Sequence, residues 1–509
     1  MPASPLAAHP FRYLVLCVVL AGAASIALRQ DGSWDLLNYH YYNAWAFVQG
    51  RHGLDWAPAQ LQSFYSPFLD LPFYAMVRAG LPPMLIAFAL AVPTGIGWYC
   101  FARMAEHLFP AERMAALAAV AVGVTAPMSV SLIGTTMNDW YVAAFVIAAL
   151  WLVVRAPPSM RTLAAAGALV GLGAGLKLTG IVYGCGLVAA AATVGDDWRT
   201  RARHVLVTGF AAAFAFAVAA GPWMYVLYER FGNPLFPYYN DIFRSPWADP
   251  VRFTATRFGP TSLLEWTIFP YEMLWKLEGF VSEPEFRDAR PALLYTLAVA
   301  ALMARPPRPA AMRSEWRFIG VFFVASFLAW AVMYRIFRYV VPLEMIGALF
   351  AVRFITRFVR GRHVALALAA TLAAVIVTAK FPTWWRQRFD DQFFVVALPP
   401  VKARALVLLA SAEPMSYVLP SFPHDARFAG LVSNFNDPSR SNLLQHAIAA
   451  QIRDHDGPIY ALAVPAGRDE GGAALARVGL ARASCAAIET NMRVSPLELC
   501  EVARRPPAP

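Results

Sequence analysis

Few residues in this chain are equipped to do chemistry, and they lie far apart. Asp31 and Asp35 stand in "RQDGSWDLLNYHYYNAWAFVQGR", residues 29–51, and Asp139 stands in "TTMNDW". A carboxylate can take a proton from a hydroxyl, hold a hard divalent cation or cap a helix. Three cations stand beside them: Lys177, closing "GLGAGLKLTG", and Arg335 and Arg338 in "YRIFRYVVP". Such groups suit a phosphate. Asp35 is surrounded by aromatic faces for stacking and by amide, imidazole and hydroxyl groups for hydrogen bonds, Asn38 and His40 among them. That mixture suits a sugar. A further set, Tyr238, Tyr239, Asn240 and Asp241 in "RFGNPLFPYYNDIFRSP", could contact substrate, although packing of a turn-rich loop is the favoured reading there. For Asp31, beside Gly32 and Ser33, a solvated helix cap is favoured, for Asp139 a cap competes with a functional role, and Lys177 could simply snorkel.

The elements that must position these groups are apolar. Of 509 residues 59% are hydrophobic and 15% charged, with a mean hydropathy of +0.48. That balance excludes an ordinary soluble globule and indicates a polytopic membrane protein. Apolar stretches recur near 11–29, 82–101, 113–132, 138–154, 161–176, 180–194, 204–228, 291–304, 316–334, 339–356 and 363–379. The longer ones match the roughly 20 residues that cross a bilayer as helix, so about 11 transmembrane helices are expected. The first is expected to be an uncleaved span, despite a signal-like "AGAAS" patch.

Orientation follows from arginine, because short basic loops stay in the cytoplasm. Arg103 and Arg113, Arg155 and Arg161, Arg199 to Arg203, Arg305 to Arg317, and Arg357 to Arg362 fill alternate loops. The loops 30–80, 133–138, around 177, 229–290 and 335–338 must then face outward, with everything after 380. Every candidate group lies on that outward side. Arg335 and Arg338 break the positive-inside pattern, which favours a bound anion. The net charge of +11 is thus mostly an orientation signal, and no nucleic-acid partner is expected.

Within the first outward loop, Leu37, Tyr41, Ala44 and Val48 form one stripe and Asn38, Tyr42 and Gln49 another, the pattern of a helix lying in the membrane interface. If that helix included Asp31, the two aspartates would share a face. The chain divides into a transmembrane region, 1–380, and a small outward α/β domain, 381–509. In the latter "ALVLLAS", "IYALAVP" and "LELCEVARR" read as strands around the amphipathic helix "SNLLQHAIAAQIRDHDG". Cys485 and Cys500, on two neighbouring strands, could form a disulfide in an oxidising periplasm, with buried free thiols as the alternative. No cysteine spacing suggests a metal.

Taken together, these residues resemble the C-type (GT-C) polytopic glycosyltransferases, particularly bacterial branches that use polyprenyl-phosphate-linked sugars. The likeness covers the membrane region. The resemblance implies a catalytic acid in the first outward loop, Asp35 or else Asp31, a second aspartate at Asp139, a lysine closing a glycine-rich span at Lys177, and an "RY-x-x-P" turn at Arg338, Tyr339 and Pro342. It also implies a polyprenyl-phosphate sugar donor, a glycan, lipid or protein acceptor, and a bacterial inner-membrane location with the N-terminus cytoplasmic. For such a donor, Arg338 and Lys177 would stabilise the departing phosphate while Asp35 takes the acceptor proton, and direct attack would invert the anomeric centre. Asp139 would orient the acceptor or hold Mg2+ or Mn2+, though the loop lacks the adjacent acidic pair that would make a metal expected. A transporter or flippase for a lipid-linked saccharide is the alternative, without the inverted repeats it should show. A membrane-anchored assembly protein is a third.

Overall fold

The computed structural model describes residues 9–252, 258–304, 313–438, 440–465, 471–492 and 495–504. Arg305 and Arg308, used above for orientation, lie outside the described residues. All eleven apolar stretches fold as helix. Five of these helices, Pro10–Leu28, Pro83–Leu108, Trp198–Phe231, Ser314–Met333 and Phe337–Phe358, are long and apolar enough to cross a membrane. The others, such as Asp139–Val154 and Met160–Leu176, are apolar but shorter, so among the described residues five helices meet the length for a span.

Two compact units emerge, and they divide the chain differently from the expected boundary at 380. The first comprises residues 1–28, 87–221 and 254–384. Its core is helix against helix. Gly167, Gly171 and Gly175 repeat every fourth residue along Met160–Leu176, and a Cβ at any of them would collide with Thr208, Ala212 or Phe216 and Ala219 of the long helix Trp198–Phe231. Small residues at that spacing let two backbones approach closely where lipid offers no hydrophobic drive.

The second unit comprises 29–86, 222–253 and 385–509. Its sheet has β1 Val396–Ala397, β2 Leu406–Leu409, β3 Arg427–Gly430, β4 Ile459–Ala463, β5 Leu480–Thr490 and β6 Leu497–Arg504, in the order β1-β5-β6-β4-β2-β3. β3, β2 and β4 run parallel and the rest antiparallel. β2 is buried along its whole length, which is why "LVLL" shows no alternation. Cys485 faces Cys500 across β5 and β6, and the two are disulfide-bonded.

Residues 30–80, expected as the first outward loop, join this unit and supply part of its core. Leu36–His40 is a π-helical turn running directly into the helix Tyr41–Val48, and every residue from Leu36 to Ala46 is buried. The expected interfacial helix is therefore corrected over its first part: of its polar stripe Asn38 and Tyr42 are buried in protein, and only Gln49 is exposed. Trp56 backbone pairs with Phe428 and Gly430 at the edge of β3, and Phe64 packs among Phe231, Phe236 and Phe435. This cover could not be foreseen because its partners lie hundreds of residues away in sequence.

Candidate active site

In the helical unit three short connections bring charged groups together. Asn138 takes a left-handed conformation, φ 65°, tolerable for asparagine, and so starts the helix Asp139–Val154 with Asp139 in its first turn. Lys177 stands in extended conformation where Met160–Leu176 ends. Its Nζ lies 2.5 Å from Asp139 Oδ1 and donates to the carbonyl of Met137. The turn Phe337–Val340 precedes the helix Val341–Phe358, whose start is set by Pro342. Arg338, buried, points Nη1 at Met137 Sδ, 3.4 Å away. Met137 is thus touched by both cations. So is Tyr339: Lys177 Nζ lies 5.4 Å and the Arg338 guanidinium 5.2 Å from its ring centre. Tyr183 fixes that turn by donating its hydroxyl to the Tyr339 carbonyl.

Arg335, paired with Arg338 in the sequence reading, goes elsewhere. Its φ is 62°, and its side chain bonds the carbonyls of Ala331 and Pro260 and lies over Trp266. Glu344, one turn into the following helix, accepts the backbone N–H groups of Met128 and Ser129 and braces the segment before Asp139. It lay unnoticed in sequence because its partners are more than 200 residues away.

The second unit holds the carboxylates of the first loop. Asp31 precedes the helical segment, so helical spacing does not place it beside Asp35. It accepts the Ser33 N–H at 2.9 Å, and its charge opposes the burial that pulls Arg386 down to about 10. The solvated helix cap expected of it is therefore corrected: Asp31 is 2% exposed and closes a local turn. Asp35, 9% exposed, sits at the start of the π-helical turn. Tyr238 is a neighbour: its phenol is pushed up by burial, against the hydrogen bond from Tyr65, with small contributions from Tyr239 and Asp35. Asn38 donates to the Ala59 carbonyl at 3.2 Å. His40 Nδ1 lies 2.7 Å from Asp70 Oδ1, both groups buried, and its Nε2 has no hydrogen-bond partner among the described residues. Asp70 was absent from the sequence reading, since nothing in "SPFLDLPFY" marks it as an imidazole's partner.

In "GNPLFPYYN", Asn240 is wholly buried and its amide donates to the carbonyls of Ser245, Ala248 and Asp249, while its oxygen accepts from Ser245 N–H. Its capacity is taken up in folding the loop. Tyr239, φ 54°, is 36% exposed and keeps a face available. Among the described residues the only cluster of three His, Cys, Asp or Glu close enough to hold a metal ion is Cys485, Glu498 and Cys500, and two of these are tied in the disulfide.

No protein-family model matches this sequence, and no curated protein is detectably similar to it. Among solved structures, the fold matches the crystal structure of ArnT from Cupriavidus metallidurans bound to undecaprenyl phosphate, at 15% identity and a TM-score of 0.56, over 97% of this chain and 98% of that one. The apo state of the same protein matches at 14% identity and a TM-score of 0.53, over 96% and 98%. The resemblance noted in the sequence is met here by a likeness of fold: over nearly its whole length the chain has the architecture of ArnT.

Proposed function

We propose that this protein is an integral membrane glycosyltransferase that moves a sugar from a polyprenyl-phosphate donor to an acceptor hydroxyl on the outer side of a bacterial inner membrane. The observation that carries the reading is the pair of cations, Lys177 and Arg338, both set against Tyr339 and Met137. A departing phosphate needs positive charge already in place, because charge fixed before reaction stabilises the transition state without reorganisation. The bound lipid phosphate of ArnT supports the same reading.

Asp35 is the base in this proposal, taking the acceptor proton as the hydroxyl attacks the anomeric carbon and the phosphate leaves with the bonding pair. Such direct displacement inverts the centre. Asn38, His40 and Tyr239 then serve substrate, with His40 oriented by Asp70. Asp139 changes role from the sequence reading. Its Oδ1 holds the Lys177 ammonium, so it aims a phosphate-binding cation, and a divalent ion on the same carboxylate would stand against that ammonium charge. No metal is assigned.

Purified protein supplied with labelled polyprenyl-phosphate sugar and candidate acceptors tests the function. Covalent transfer supports the enzyme; movement of label across vesicles without transfer supports a flippase; neither supports an assembly role. Asp35→Asn should lower transfer by about 10²- to 10⁴-fold, the usual contribution of a positioned base. Turnover like that of the parent would remove Asp35 from the role.

A further inference from the structure

The second unit contains a pocket that the proposed reaction does not use. It is small, with a cavity volume of about 50 Å³, room for a few waters or one compact anionic group, and is lined by His52, Trp56, Ser63, Tyr65, Trp223 and Arg230, among others, but by neither Asp35 nor His40. Arg230 ends the long helix Trp198–Phe231, and among the described residues its guanidinium has no ion-pair or hydrogen-bond partner. The nearby carboxylate cannot serve it. Asp55 is bound on both oxygens by Arg51 and also accepts from Tyr42 and Phe428.

Three further features point into the same space. His52 Nε2 is buried with no hydrogen-bond partner among the described residues. Its ring packs edge-on against Trp223, centroids 5.1 Å apart. Gly53, φ 102°, passes directly under Arg230, and a Cβ there would collide with Nη2. Its positive φ suits glycine, and a side chain there would push the Arg230 guanidinium aside. On the outside of the helix, Tyr225 and Tyr228 are exposed just before Arg230, as aromatics are at a membrane–water boundary.

We propose that this pocket binds an oxyanion-bearing group, a phosphate ester, with Arg230 as its counter-charge, His52 Nε2 as a hydrogen-bonding partner and the Trp223 face as its apolar wall. A cation fixed in a half-buried pocket binds a phosphate better than an exposed one because water screens it less. The phosphate belongs either to a lipid headgroup at the membrane surface or to a soluble ester. The two sources share the oxyanion and differ only in the group esterified to it.

The test uses the full chain in detergent with three probes: inorganic phosphate by equilibrium dialysis, and dihexanoyl phosphatidic acid and dihexanoyl phosphatidylcholine by tryptophan fluorescence. Because the transfer reading places other cations elsewhere, the quantity that counts is the difference between the parent protein and Arg230→Gln. Phosphatidic acid should bind at least about tenfold tighter than phosphatidylcholine, and Arg230→Gln should lose that margin while Arg230→Lys keeps most of it. Binding of both phosphate and phosphatidic acid means the oxyanion alone suffices; phosphatidic acid only assigns a lipid; inorganic phosphate only assigns a soluble ester. Equal affinity for the two lipids together with no phosphate binding, or an Arg230→Gln protein that melts normally and binds like the parent, overturns the proposal. Failure of sugar transfer would leave it untouched, since the assay involves no transfer.

Discussion

Two ion pairs on buried aspartates, one in each unit, show how differently this chain uses charge. Arg51 and Asp55 in the second unit are almost entirely inaccessible and form a two-pronged contact at 2.7 Å. The remaining Arg51 donors reach the carbonyls of His424 and Ala426, its guanidinium lies between Trp45 and Phe428, and Asp55 also accepts from Tyr42 and Phe428. Nothing is left over. In the helical unit Asp139 meets Lys177 through Oδ1, and its Oδ2 is buried without a hydrogen-bond partner among the described residues. A closed network stabilises a fold, whereas an unfinished one keeps capacity for something that arrives later. On this contrast Arg51 is structural, and Lys177 is left to the functional role proposed for it, although each cation stands beside a buried aspartate.

The largest effect should come from opening the closed network. Arg51→Ala strands the Asp55 carboxylate in the core, and breaking a buried pair this way costs about 3–5 kcal/mol. Thermal unfolding should show a large drop in melting temperature, with activity lost only as far as folding is lost. A stable Arg51→Ala protein would dissolve the contrast from one side.

Lys177→Gln attacks it from the other. Glutamine keeps a donor for Asp139 while removing the charge, so melting should change little. Transfer should fall about 10²- to 10³-fold, as when one preorganised donor is removed from a developing negative charge. If the variant melts much lower and the surviving protein turns over normally, Lys177 is structural after all.

A smaller effect belongs to the disulfide. Cys485 and Cys500 close a loop of 15 residues, and opening one of that size lowers stability by about 3 kcal/mol in the chain-entropy account. Replacing both by serine should lower the unfolding midpoint in denaturant without changing transfer per folded molecule. Lost transfer at full folding would give the sheet a catalytic share it lacks in the present reading.

The contrast also explains which parts were legible beforehand. Apolar length and composition revealed the helices, because a bilayer demands them of any spanning segment, and the strands of the C-terminal sheet showed in local pattern. Asp139, Lys177 and Arg338 were visible because a charge between apolar spans is costly and so conspicuous. Arg51, His52, Asp55, Asp70 and Arg230 were not. They lie in segments the sequence reading assigns to outward loops, where charge is ordinary, and only the fold brings Asp70 to His40, His52 to Trp223 and the carbonyls of His424 and Ala426 to Arg51. The segment after Asp35 misled for the same reason: an amphipathic stripe is identical whether its polar side meets water or protein.

His52 offers the mildest perturbation and the sharpest sign. Burial, and then the charge of Arg230, hold its imidazole down to about 4 from an ordinary 6.5. Above pH 6.5 it is neutral both folded and unfolded and contributes nothing. As pH falls from 6.5 toward 4 the unfolded chain takes up a proton that the folded chain refuses, so stability drops through that window and levels off below it. Other groups titrate there too, and the difference between the parent and His52→Asn isolates this one: the parent should lose more melting temperature between pH 7 and 4.5 than the variant does. Phosphate added to the parent should shrink the gap, because an oxyanion beside Arg230 offsets the charge that opposes protonation. A gap of zero would mean that His52 is open to solvent, and with it the pocket would lose the buried nitrogen that gives it chemistry.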